Sequence, residues 1–263
     1  MPYCSIEQGS LYYEVKGKGK PLLLIAGLAS DVQSWVTVKK SLSSQFQLVM
    51  LDNRGVGRTK FTSGTISIDQ ITEDIIGLLD CLGYEKVLVL GHSMGGMIAM
   101  NLAVKYPERV DKLVLTATTP KLNARNVLQL RDWMTFMNEG MNLEIWYKNL
   151  FYWIYSDAFF EKPGMLTAWL MGALNYQYPV TPAAFGEQVE AIVKFDFTEK
   201  LHQINCPTLL LNAEYDRLFN AEESFNLFRS VKDIQFETLP EAGHALHVEQ
   251  PEDFAKLVTG FLF

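Results

Sequence analysis

The stretch VLVLGHSMGGMIAMNLAVKY, from Val87 to Tyr106, restricts the fold of this chain more than any other segment. Lys86 to Leu90 is a short aliphatic run of the kind that fills a central parallel strand, and Met97, Ile98, Leu102 and Ala103 recur at helical spacing. Between them lies Gly91-His92-Ser93-Met94-Gly95, a sharp turn with glycine on both sides, where a Cβ would collide with neighbouring backbone. The pentapeptide fits G-x-S-x-G, in which the serine sits on a strained strand-to-helix turn that lifts its hydroxyl above the sheet. The first N–H groups of the following helix have no intrahelical partner, which leaves the Met94 amide free to donate to an oxyanion. A helix-capping serine on a glycine turn would read the same way locally. The strand before it and the helix after it favour a nucleophile.

The rest of the chain supplies the layers such a turn needs. Cys4 to Glu7 and Leu11 to Val15 read as a hairpin, Leu22 to Ala26 as a buried strand, and a helical stretch with Trp35 and Val38 follows. Phe46 to Leu51 gives another strand. Asp69 to Leu82 reads as a helix with Ile71, Ile75, Leu78, Leu79 and Leu82 on one face and Gly83 as its stop. Val110 to Ala117 continues the alternation of strand and helix that a doubly wound parallel sheet requires.

From Thr118 to about Phe197 that alternation is lost, and the sequence becomes helical, methionine-rich and aromatic. We expect an inserted helical cap over residues 118–197 and an α/β core made of residues 1–117 and 198–263. Trp133, Trp146, Trp153 and Trp169 are the candidate walls of a substrate pocket beneath it, although for any single aromatic here packing is the favoured role over ligand contact. The α/β pattern resumes with strands over Pro207 to Asn212 and Ile234 to Leu239, a helix from Ala221 to Ser230 between them, and a last helix after Pro251.

Several other chemistries are excluded on composition and spacing. With 23 Lys and Arg against 30 Asp and Glu in 263 residues, the net charge is -7, and no basic stripe is available to neutralise nucleic-acid phosphates. Gly17-Lys18-Gly19-Lys20 lacks the earlier glycine and the Ser or Thr of a phosphate loop, since Pro21 follows the lysine. Gly55-Val56-Gly57 has Lys60 in place of a third glycine and no helix directly after it, so a dinucleotide site fails. Arg54 and Arg58 in that loop are expected to be held by carboxylates or backbone carbonyls. Cys4, Cys81 and Cys206 are distant and without C-x-x-C spacing, and read as small buried apolar residues. The N-terminus shows no secretory pattern and no apolar run is long enough for a bilayer, so a cytoplasmic protein without membrane contact is expected. No cofactor and no metal are called for.

A serine hydroxyl needs an imidazole base, and that base needs a carboxylate to fix its tautomer and stabilise the imidazolium. Ser93, Asp216 and His244 occur in the order Ser, Asp, His, each directly after an expected strand of one sheet, and parallel strands bring such loops to one edge. Gly27-Leu28-Ala29-Ser30, also at a strand end, offers the Leu28 amide as a second oxyanion donor beside Met94. Glu214 is an alternative to Asp216 set nearer the strand. His92 is expected to pack or bond locally, His247 to be structural, and His202 to lie on the surface or at the hinge of the cap.

With these pieces in place the chain resembles an α/β-hydrolase-fold serine hydrolase of the esterase, lactonase and thioesterase type, through GHSMGG, DNRGVGRT, LLLNAEYDRL and EAGHALHVEQPEDF, over nearly its whole length. The resemblance implies Ser93 as nucleophile, His244 as base, Asp216 as acid, the amides of Leu28 and Met94 as oxyanion hole, and no cofactor. Members usually carry His-Gly where this chain has Ala26-Gly27, so the oxyanion loop lacks a histidine's hydrogen bonds. The function implied is carboxylesterase-like cleavage of an ester-type bond in a small, partly apolar substrate. An enol-lactonase, a thioesterase or a carbon-carbon bond hydrolase would use the same triad. A non-catalytic ligand-binding protein on this fold and a lipase docking on membranes are further alternatives. The sequence leaves the oligomeric state open.

Overall fold

A computed structural model describes residues 2–61 and 66–263. In chain order the elements are β1 (Tyr3–Ile6), β2 (Gly9–Lys16), β3 (Pro21–Ile25), α1 (Lys39–Ser43), β4 (Gln47–Leu51), β5 (Lys60–Phe61), α2 (Ile68–Leu82), β6 (Val87–His92), α3 (Met94–Lys105) and β7 (Val110–Thr116). Then come α4 (Ala124–Asn138), α5 (Leu143–Ile154), α6 (Asp157–Glu161), α7 (Met165–Leu174), α8 (Pro182–Val193), β8 (Thr208–Ala213), α9 (Ala221–Phe228), β9 (Ile234–Leu239), α10 (Leu246–Glu249) and α11 (Pro251–Leu262). The strands form one sheet in the order β1-β2-β4-β3-β6-β7-β8-β9, with β5 beside β2. The pairings of β2 are antiparallel, and every pairing from β4 across to β9 is parallel. This is an α/β-hydrolase fold, as the sequence implied.

The all-apolar strands fill the middle of the sheet because helices cover both faces. Alternate residues of β3 divide between two cores, with Leu23 and Ile25 on the side of α2 and α3, and Leu22 and Leu24 on the side of α1 and α11. The helix α2 buries Ile71, Ile75, Leu78 and Leu79 on one face. Ser67 caps it by accepting from the Gln70 amide at 3.0 Å, and Gly83 ends it at φ 71°. The expected helical stretch around Trp35 is instead a 3-10 turn, Val32–Trp35, followed by the short α1. Asp31 accepts from the Gln33 amide and favours the tight turn over a longer helix.

The helices α4 to α8 leave the sheet after β7 and return before β8. The two ends of that excursion meet, since Lys121 bridges Asp196 in the backbone and by an ion pair at 2.7 Å, and the Phe197 amide donates to Pro120 O at 2.9 Å. Among the described residues no helix is long and apolar enough to cross a membrane. The cysteine expectation needs correcting at one position: Cys4 is buried and Cys206 partly so, but Cys81 is exposed, because it faces outward near the end of the amphipathic α2.

Candidate active site

Ser93 lies between the end of β6 and the start of α3 at φ 56°, a conformation rare for a residue with a side chain. The neighbours dictate this strain. A Cβ on Gly91 would run into the carbonyl oxygen of Gly95, and one on Gly95 into that of Ile25. The next strand fixes the turn, with the Ser93 amide donating to Thr116 O at 3.0 Å and Thr118 Oγ1 donating to Ser93 O at 2.7 Å. Ser93 itself remains partly accessible while both its neighbours are buried.

Asp216 and His244 follow β8 and β9, and the structure joins them: His244 Nδ1 lies 2.9 Å from Asp216 Oδ2, with both residues buried. The other carboxylate oxygen accepts from the amides of Leu218 at 2.8 Å and Phe219 at 3.0 Å. With an ionised carboxylate the shared proton sits on Nδ1, which leaves Nε2 unprotonated and able to accept. Glu214, by contrast, is exposed and accepts from the Glu241 amide, away from the imidazole.

His92 packs against the His244 ring at 5.0 Å between centroids, and its Nε2 donates to His244 O at 2.9 Å. His247 contacts His92 and Trp35 and lies 3.3 Å from Ser34 Oγ through Nε2. Burial above all, and then the neighbouring imidazoles, hold both rings neutral. The pKa of His92 falls well below its ordinary value, and that of His247 falls to about 3. Among the described residues no group of three His, Cys, Asp or Glu side chains is arranged to hold a metal ion.

Ser93, Met94, Leu28 and His244 line one cavity of about 530 Å³ between the strand ends and the helices α4, α5, α7 and α8. Its walls are mainly apolar, and among the described lining residues there is no Lys or Arg and a single carboxylate, Asp31. Neither the Leu28 nor the Met94 amide donates to another described residue. Trp133 and Trp169 belong to the walls. Trp146 and Trp153 do not, which corrects the expectation for these two. Trp146 is buried one layer back, donating through Nε1 to Trp133 O at 3.0 Å, and Trp153 stands edge-on to Trp133 with the Arg125 guanidinium over its ring. Both tryptophans brace the wall from behind.

The arginines of the 52–59 loop are held as expected. Arg54 pairs with Asp74 at 2.6 and 2.8 Å and donates to Glu7 O, and Arg58 pairs with Asp52 at 2.9 Å. Sequence reasoning missed the polar ties that cross from the helices to the strand ends. Gln188 of α8 bonds to both Ala29 and Arg54, and the Tyr176 hydroxyl donates to Asp31. A glutamine on the stripe Phe185, Gln188, Val189 and Ile192 of α8 was the available signal, because a polar residue at core spacing needs a partner.

Comparison with known proteins agrees with this fold. The family model described as alpha/beta hydrolase fold matches residues 20–251. A protein of Azorhizobium caulinodans provisionally named carbamate hydrolase RutD is 28% identical, over 99% of this chain and 98% of its own. A pimeloyl-[acyl-carrier protein] methyl ester esterase of Nitrosomonas europaea is 30% identical, over 93% of this chain and 96% of its own. Among solved structures, a thermophilic esterase from Thermogutta terrifontis superposes with a TM-score of 0.85 at 25% identity, covering 97% of this chain and 93% of that one.

Proposed function

The chain belongs to the α/β-hydrolase family, and from that premise we propose that it is a carboxylesterase-like serine hydrolase acting on neutral esters with an apolar acyl group. The observation that carries this reading is the buried Asp216–His244 pair opening on the same apolar cavity as the strained Ser93. Ser93 Oγ attacks the ester carbonyl while His244 Nε2 takes the hydroxyl proton, and the carbonyl electrons become an oxyanion facing the amides of Leu28 and Met94. Collapse expels the alcohol, which receives the proton from His244. Water then repeats the sequence on the acyl-enzyme and releases the acid. Asp216 keeps Nδ1 protonated throughout.

The wall chemistry supports the substrate class. A free carboxylate on the acyl chain would meet no cation among the described lining residues, and Asp31 would repel it. Residues 118–197 act as a cap over the core of residues 1–117 and 198–263, a division favoured by the meeting of the two ends at Lys121 and Asp196. A cytoplasmic location fits three unpaired cysteines. The similarity to a methyl ester esterase favours an ester over a thioester or carbon-carbon bond.

Hydrolysis of p-nitrophenyl esters of increasing acyl length, by wild type and Ser93→Ala in parallel, tests the reading. Cleavage by wild type alone, with an optimum at medium length, is the expected result. Cleavage by neither protein would remove simple ester hydrolysis and turn attention to lactones and thioesters.

A further inference from the structure

The oxyanion loop has an unusual support. Gly27 to Ser30 form a tight turn closed by the Ser30 amide on Gly27 O at 3.2 Å, and Ala29 in its middle adopts φ 57°, where glycine is the ordinary choice. Ala26 stands where a histidine is usual in chains of this type, so no imidazole at that position braces the loop. Asn53 Nδ2 donates to Ala26 O at 3.1 Å and holds the strand side. The other side is held from the inserted helices: Gln188 of α8 is fully buried, its Oε1 accepts from the Ala29 amide at 3.0 Å, and its Nε2 donates to Arg54 O at 2.9 Å. Arg54 is itself fixed through both guanidinium bonds to Asp74, so the anchor for Gln188 is rigid.

From this geometry we infer that Gln188 is a positioning residue for catalysis, a clamp from the cap that consumes the Ala29 N–H and holds the strained turn so that the Leu28 N–H faces the oxyanion. The inference rests on the reading of Ser93 as nucleophile. A backbone conformation that costs energy persists only where its surroundings over-determine it. Here Asn53 and the Ser30 hydroxyl, which donates to Leu28 O at 3.2 Å, share that restraint, and Gln188 alone orders the two candidate amides, leaving Leu28 free and occupying Ala29. An oxyanion donor acts in the transition state and contributes little to ground-state binding, so loss of the clamp should appear in the chemical step.

The test compares wild type with Gln188→Met, which keeps the volume and removes both polar atoms. The readouts are the rate of the acylation burst normalised to active sites, KM, and the affinity of a trifluoromethyl ketone that forms an oxyanion on the serine. We expect acylation and ketone affinity to fall together by about 10-fold to 100-fold, with KM within about threefold of wild type. Unchanged ketone affinity, or an equal loss in KM, would overturn the clamp. Amide hydrogen exchange in the wild-type protein gives a second reading that needs no variant. The Ala29 amide should exchange about 100-fold more slowly than that of Leu28, and the ketone should protect Leu28. Equal exchange at the two amides overturns the inference even if Gln188→Met does not fold. Wild type that neither hydrolyses esters nor reacts with a fluorophosphonate would instead remove the nucleophile reading, with the exchange comparison still open to judge the turn.

Discussion

The loops at the ends of β3, β6 and β8 are held by strand ladders and buried polar bonds, whereas the helices from Ala124 to Val193 are joined to them mainly through apolar contacts. All six residues of β6 are buried, but of the ten residues of α7 only Leu170 is. The outer helices pack through a satellite cluster of Phe151, Tyr155, Phe159, Leu170 and Ala245, separate from the two cores flanking the sheet. Their polar ties to the rest include Gln188 to the 27–30 turn and Arg54 O, Asn126 to Leu218 O, Tyr176 to Asp31, Ser156 to Glu249 and Arg217 to Asp157. The proposed reacting groups sit where the backbone is fixed by its neighbours, and the wall contributed by α7, with Trp169 and Ala173 only half-buried, sits where a changed side chain meets little resistance. The first region should therefore govern rate and stability, and the second the choice of substrate.

Four experiments would sharpen or break that division. The largest effect should come from Ser93→Ala, which removes the proposed attacking oxygen without touching the bonds that the Ser93 backbone makes. Activity on esters should fall by about five orders of magnitude with Tm almost unchanged. A loss below about 100-fold, measured against an active-site titre, would mean that another group attacks.

Next comes Arg54→Met, which strips the cation from a pair whose side chains are each 1% exposed and leaves Asp74 buried and unpaired. Urea denaturation should show a loss of about 3–5 kcal/mol. A loss under about 1 kcal/mol would show that this buried pair is not what fixes the 52–59 loop.

The neutral histidines predict an acid limb of stability. His92 and His247 have folded pKa values held below the ordinary 6.5, that of His247 near 3. Between pH 6.5 and 3 the unfolded chain therefore binds more protons than the folded one, and stability is fully present above pH 6.5 and lost as pH falls. The slope is about 1.4 kcal/mol per pH unit for each such histidine. His247→Gln should flatten the limb by about one proton, as read from urea midpoints at pH 7.5, 6 and 5. An unchanged slope would place the proton uptake elsewhere.

The smallest effect belongs to the walls. Trp169→Ala enlarges the cavity from the half-buried side of α7 and should move the optimum of the ester series to longer acyl chains. Short esters should lose about threefold to tenfold in kcat/KM, since each buried methylene contributes about 1 kcal/mol. Tm should stay within about 3 °C. A large fall in Tm with no change of chain-length preference would contradict the split between a rigid site and an adaptable wall.

What the sequence could disclose follows from how local each constraint is. The β6-turn-α3 unit was legible because strand, glycines and helical spacing all act within twenty residues, and the loop carrying Asp216 and that carrying His244 each follow a recognisable strand. The arginines of the 52–59 loop were legible as charges that must find partners once buried. The break of the Trp35 stretch into a 3-10 turn and a short helix was hidden, because it depends on Asp31 accepting from the Gln33 amide and on how the segment packs over the sheet. Among the four tryptophans nothing local separates Trp133 and Trp169, which meet the cavity, from Trp146 and Trp153, which stand behind it. The side an aromatic presents is set by which helix packs against it, and periodicity carries no record of that.

The sequence by itself determined the alternation of the main strands and helices outside residues 118–197, the strained serine turn and the three loops on one sheet edge, because those follow from residue spacing, backbone sterics and the right-handed crossover of parallel strands. Only the tertiary structure decided that Asp216 rather than Glu214 meets His244, that a glutamine 159 positions away along the chain holds the Ala29 amide, and which aromatics face the cavity. Those are meetings of side chains from elements far apart in sequence, and such a meeting is fixed by packing, on which local propensity has no hold.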